Sequence, residues 1–158
     1  GWMISMDSLK AAKDAGIKVD SSSRTAFTTA SFNAQGHLYN GPWKSLVTTQ
    51  PYWISPSDQN KGTAKTSSLG LYEMPNNGGD SWASKIPDAL FSKFKSNYTS
   101  DQLTSMRMVT YLSHPDFFNT ESQRMGPVLS TISTIQAGND DGPVIYTTLY
   151  DYYLNYAK

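Results

Sequence analysis

The sequence predicts an α/β fold in which helices pack on the outside of a mostly parallel sheet. Three stretches carry that prediction. Ser5 to Asp20 reads in succession as helix, glycine, strand and acid. Arg107 to Ser113 alternates its side chains as a strand does and ends on His114-Pro115. Leu90 to Phe94 and Met125 to Ile135 space their apolar residues three and four apart, the helical period. A chain of 158 residues is long enough for one ordinary domain and short for two, so residues 1–158 are expected to form one.

Taken in order, Ser5 caps a short helix through Ala15, with Asp7 near its positive end and Met6, Leu9 and Ala12 turned to a core. Gly16 closes it in the left-handed conformation that suits glycine. Ile17 to Asp20 follows as a strand with Ile17 and Val19 inward. Arg24 to Gly70 has no firm period but many aromatics, which argue against disorder. Within it Gly41-Pro42-Trp43 and Pro51-Tyr52-Trp53 read as turns that present a ring, and Asp58 to Ser68 as a mobile loop tip. Leu69 to Pro75 is a second strand, stopped by Pro75 and the turn Asn76-Asn77-Gly78-Gly79. Pro87 and Asp88 open a helix striped by Leu90, Phe91 and Phe94. Thr120 with Gln123 forms a capping box for a helix reaching Gly138, which Pro127 either kinks or starts. Pro143 to Leu149 reads as a last strand before a Tyr-rich ending.

Composition narrows the function. Thirteen basic residues balance thirteen acidic ones, so net charge points to neither nucleic acid nor an anionic membrane. Charged residues make up 16% of the chain and aromatics 13%, a mixture suited to neutral polar ligands such as sugars. Without cysteine there is no disulfide framework, thiol nucleophile or thiolate metal site. No apolar run approaches the roughly 18 residues of a membrane span. Asn97-Tyr98-Thr99 matches a glycosylation sequon.

His114 is the residue that invites chemistry. It is one of two histidines and stands at a strand exit, because Pro115 lacks an N–H and stops the ladder. It reads either as structural or as functional. Asp20 closes another parallel strand, so the two are expected to meet on one sheet edge. A carboxylate beside a histidine favours the imidazolium and fixes its tautomer, as a general acid requires. A serine hydrolase has little support, since no Gly-x-Ser-x-Gly elbow occurs. His37, in a loop, and His114 lack tight ligand spacing with any acid, so no metal site is assigned within the chain. Trp43, Tyr52 and Trp53 either stack on sugars or cover the sheet end.

Four pieces resemble, in order, the second half of a polysaccharide deacetylase (NodB homology, carbohydrate esterase family 4-like) domain. They are Leu9 to Ser22, ending in Asp-Ser-Ser; Leu71 to Pro75, ending in Glu-Met-Pro; Leu112-Ser113-His114-Pro115; and Val144 to Tyr153. Gly1-Trp2 is similar to the tail of the family's Arg-x-Gly-Gly-Trp segment, as of a processed or truncated start. The resemblance implies the C-terminal half of a distorted (β/α) barrel. It implies a hydrolase that deacetylates N- or O-acetylated polysaccharide, with His114 as general acid, Leu112 at the acetyl methyl group and Asp20 tuning the histidine. It also implies a divalent metal, zinc by preference, held by Thr-Phe-Asp-Asp and His-x-x-x-His motifs that precede this chain. The missing N-terminal half, in one precursor or as a separate fragment, then becomes a partner. The setting implied is extracellular or the cell envelope. The alternatives are a metal-free carbohydrate-binding domain using Trp43, Tyr52, Trp53 and Trp82, or a structural surface domain.

Overall fold

A computed structural model describes residues 5–23, 48–81, 87–98, 106–134 and 144–157. They fall into two compact units, Gly1–Pro75 with Thr147–Lys158, and Asn76–Tyr146. Both mix helices with small sheets.

In the first unit α1 spans Met6–Asp14, as its sequence predicts. Ser5 Oγ accepts the Ser8 N–H at 3.3 Å, and Gly16 turns the chain away at φ +89°. Strands β1 (Val19–Asp20), β2 (Tyr52–Ile54), β3 (Gly62–Thr63) and β4 (Tyr72–Glu73) form one sheet in the order β1-β4-β2-β3. Only β1 and β4 are parallel; β2 runs antiparallel to both β4 and β3. The sheet is therefore mixed rather than mostly parallel, because residues 52–63 double back as a hairpin. Asp58 makes the turn: its Oδ1 accepts the Asn60 N–H at 2.9 Å and its carbonyl the Lys61 N–H at 3.1 Å. That hairpin, with a 3-10 turn at Lys65–Ser67, replaces the expected loop tip. Pro51-Tyr52-Trp53 likewise enters a strand rather than a turn, as aromatic residues on a half-buried sheet favour.

Leu9, Ile54 and Leu71 are wholly buried at the centre of this unit, with Met6, Tyr52 and Leu69 packed around them. Ile17, expected to face inward, is 48% exposed. The last helix, α4, covers Leu149–Tyr156 and packs against β1. The expected strand over 143–149 is absent from the described part: residues 144–148 are unpaired and Leu149 is already helical. Thr148 decides this. Its Oγ1 accepts the Asp151 N–H at 3.0 Å and donates to Asp151 Oδ2 at 2.6 Å, a cap that outweighs the strand preference of Tyr and Thr.

The second unit holds β5 (Gly79–Asp80), α2 (Pro87–Tyr98), β6 (Tyr111–Leu112) and α3 (Phe118–Ser133). β5 and β6 pair in parallel, Gly79 opposite Tyr111 and Asp80 opposite Leu112. A parallel pair needs a crossover, and α2 lies within it. Leu90 and Phe94 of α2 pack on Val128 and Ile132 of α3 to form the core. Asn77 pins the two strands: Nδ2 donates to the Met108 carbonyl at 2.8 Å and Oδ1 accepts the Thr110 N–H at 2.9 Å. The capping box at Thr120 and Gln123 is not the helix start, since α3 begins at Phe118. Pro127 lies inside α3, where Gly126, lacking a Cβ, eases the clash that a residue before proline suffers in a helix. Asn97, the sequon residue, is buried and donates to the Lys93 carbonyl at 3.0 Å, so it is not presented as a glycan acceptor. Among the described residues no helix is long and apolar enough to cross a membrane.

Two substitutions test these cores. A Cβ on Gly78 would stand 2.7 Å from the Thr110 carbonyl oxygen and 2.8 Å from the Tyr111 ring. Gly78→Ala should therefore destabilise the second unit by about 1–3 kcal/mol and speed amide exchange at Ser81, whose N–H bonds Leu112. Leu9→Ala should cost the first unit about 2–5 kcal/mol in urea unfolding. A loss below 1 kcal/mol there would contradict the packing described.

Candidate functional site

The site forms where β6 ends. Its backbone is held on the β5 side by Ser81, whose N–H and Oγ both donate to the Leu112 carbonyl, at 3.0 and 3.1 Å. Arg124 of α3 returns to Ser81, its Nη1 donating to the Ser81 carbonyl at 2.8 Å. Beyond Leu112 the chain leaves the sheet, and a 3-10 turn over Pro115–Phe117 leads into α3. The Phe117 N–H bonds the His114 carbonyl at 3.0 Å. Glu121, in the first turn of α3, closes the loop: its Oε2 accepts both the Ser113 hydroxyl and the His114 N–H, each at 2.6 Å.

His114 points its Nε2 to Asp80 Oδ1 at 3.3 Å. The Asp80 side chain is 1% exposed and that of His114 35%. This pairing follows from register, because Asp80 sits opposite Leu112 in the parallel ladder, two residues before the histidine. Burial pushes the Glu121 carboxyl up, but the bonds from Ser113 and the His114 N–H, with the Ser81 hydroxyl and His114 itself nearby, together hold it below its ordinary value. Glu121 is thus kept ionised. One ligand atom from each of Asp80, His114 and Glu121 lies within 4.8 Å of the other two, a grouping able to take a cation.

Of the residues singled out in the sequence, His114 and Leu112 stand at this exit. Asp20 belongs to the first unit, where it closes β1 opposite Glu73 of β4. There Asp20 accepts the Ser22 N–H at 3.2 Å and the Ser22 hydroxyl at 2.8 Å. The carboxylate beside His114 is Asp80, which directly follows the expected turn Asn76-Asn77-Gly78-Gly79. Trp53 is 6% exposed, its ring 5.0 Å from that of Tyr72 and 6.0 Å from that of Tyr153, with Lys65 Nζ 5.1 Å above it. Tyr52 is half-buried and donates its hydroxyl to the Gln59 carbonyl at 2.7 Å. Both rings serve the packing of the first unit. Trp43, Trp82 and His37 lie outside the described residues. Asp80 and Glu121 escaped sequence reasoning because neither has a fixed spacing to His114; the signal available was an acid directly after a Gly-Gly strand start.

Glu73 is the other buried acid with a perturbed carboxyl. It is wholly buried, and its pKa is raised well above 4.5, first by that burial and then by the Asp20 carboxyl beside it, which opposes its charge. The Ser23 N–H, donating to Oε1 at 3.0 Å, opposes this only in part. The folded state therefore holds a proton that the unfolded chain gives up near pH 4.5. The stability this contributes is complete below about pH 4.5 and is lost as pH rises through the folded value, at up to about 1.4 kcal/mol per pH unit. Glu73→Gln should flatten that slope in urea unfolding between pH 5 and 8; an unchanged slope would locate the effect elsewhere. Glu121 has the opposite sign: its contribution is present above its unfolded pKa and is lost on acidification, so Glu121→Gln should cost about 1.5–3 kcal/mol at neutral pH and less in acid.

No protein-family model, curated protein sequence or solved structure matches this chain.

Proposed function

We propose that this chain contributes the general-acid side of a hydrolase that removes acetyl groups from N- or O-acetylated polysaccharide. The observation that carries the reading is the contact between the buried Asp80 carboxylate and the partly exposed His114 ring, 3.3 Å apart at Nε2. A buried carboxylate stabilises the imidazolium and fixes the ring, the arrangement a proton donor to a leaving group needs. The sequence resemblance to polysaccharide deacetylases supports the choice of reaction, and Leu112, opposite Asp80, suits a wall for the acetyl methyl group.

Deacetylation adds water to the acetyl carbonyl and then breaks the C–N or C–O bond to the sugar. In this reading His114 passes its proton to the departing nitrogen or oxygen, so that a neutral amine or alcohol leaves. Asp80 holds the imidazolium that donates, and Glu121 fixes the backbone that carries it. The metal of such enzymes supplies an activated water. The Asp and His-x-x-x-His ligands assigned to it by the resemblance are not in this sequence, whose two histidines are His37 and His114. The reading accordingly includes an N-terminal half, a barrel completed by it, and an extracellular or cell-envelope setting where such polymers occur.

The test joins this chain to its N-terminal half and follows acetate release from acetylated oligosaccharides. His114→Ala should lower turnover by about 10²–10⁴-fold with an unchanged circular dichroism spectrum. Asp80→Asn should lower it at least tenfold. A His114→Ala enzyme within tenfold of wild type would end the general-acid assignment.

A further inference from the structure

We propose that Asp80, His114 and Glu121 form a binding site for a divalent transition-metal ion, and that the ion, when bound, withdraws His114 from proton transfer. The site stands on its own geometry; its effect on turnover rests on the general-acid reading.

Around an ion with ligand bonds of about 2.0–2.2 Å in a tetrahedron, donor atoms stand roughly 3.3–3.6 Å apart. Asp80 Oδ1 and His114 Nε2 already have that separation. Glu121 offers an oxygen within 4.8 Å of a ligand atom on each of the other two, so closure asks for side-chain movements on the order of 1–2 Å while the backbone stays in place.

The independent observation is the state of Glu121. Its side chain is buried, at 1% exposure, and while Oε2 takes two short hydrogen bonds, Oε1 accepts none. The Ser81 hydroxyl lies near enough to steady the charge, but its single hydrogen is directed to the Leu112 carbonyl. A buried carboxylate oxygen left without a donor is costly, and a cation is one of the few things that relieves it. Two carboxylates with one imidazole suit zinc and its neighbours rather than calcium or magnesium, which take oxygen ligands. Within this set the imidazole must be neutral to ligate, so the ion and the transferable proton exclude each other.

Zinc chloride titrated into the 158-residue chain, followed by calorimetry and by the imidazole resonances of His114, tests the proposal. The expected result is one zinc per chain with the His114 resonances shifted, and no response to magnesium. His114→Ala and Asp80→Asn should each weaken zinc binding at least tenfold. Glu121→Gln should do the same at a temperature where its melting curve shows it folded. Absence of binding at 1 mM zinc, or binding that survives His114→Ala, or folded Glu121→Gln binding as wild type does, would each overturn the site. The two proposals fail separately: turnover insensitive to His114→Ala removes the acid role and leaves zinc binding intact, whereas unshifted His114 resonances remove the ion and leave the acid role intact.

Discussion

The Glu121 carboxylate fixes the place where β6 becomes a turn. Pro115 ends the ladder, so the Ser113 hydroxyl and the His114 N–H need an acceptor outside the sheet, and a single oxygen on the first turn of α3 serves both at 2.6 Å. An acceptor in that position ties the histidine to α3, while the Asp80 contact ties it to β5. Neither tie would hold without the core of Leu90, Phe94, Val128 and Ile132, which sets α3 against α2. The imidazole is therefore located by a chain of constraints running from apolar packing to one charged hydrogen-bond acceptor. Its orientation does not depend on its own burial, which leaves the ring accessible.

Glu121 and Glu73 show how donors, rather than burial, decide the charge of a buried acid. Both are almost or wholly inaccessible. Glu121 receives a hydroxyl and a backbone N–H on one oxygen, with an imidazole nearby, and its carboxyl falls below the ordinary value. Glu73 receives one N–H and faces another carboxyl, and its pKa rises. The strand partners explain the difference. Parallel register sets Asp20 beside Glu73 at the end of β1 and β4, whereas at the end of β5 and β6 it sets Asp80 two residues from a histidine. Like ends of like strand pairs thus carry opposite chemistry.

The parts of this structure written in local chemistry were legible in the sequence. Ser5, Gly16 and the Leu90–Phe94 stripe announce their helices because capping, left-handed turns and apolar spacing act over a few residues. His114 at a strand exit was legible for the same reason, through Pro115. The turn at Asp58, the strand through Trp53 and the helix after Thr148 depart from the sequence expectation, since each depends on a neighbour outweighing a propensity. The partners of His114 were not legible at all. Asp80 reaches it through a register set 32 residues apart in the ladder, and Glu121 through the packing of α3, neither of which leaves a spacing in the chain.

The same electrostatics explains why one cluster would favour both a proton donor and a cation. Two carboxylates around one imidazole leave an excess of negative charge, which is relieved either by a proton on the ring or by an ion between the three side chains. The ring nitrogen facing Asp80 can serve only one of these at a time. Low pH favours the proton and high pH the ion, because ligation requires the neutral imidazole. The ion gains there only if the carboxylates can close on it. Here Glu121 is restrained by two short hydrogen bonds on Oε2, so approach to the ion must use Oε1 or give up the bonds that hold the β6 exit. The stiffness of that turn, more than the identity of the three ligands, then sets how readily the ion competes with the proton.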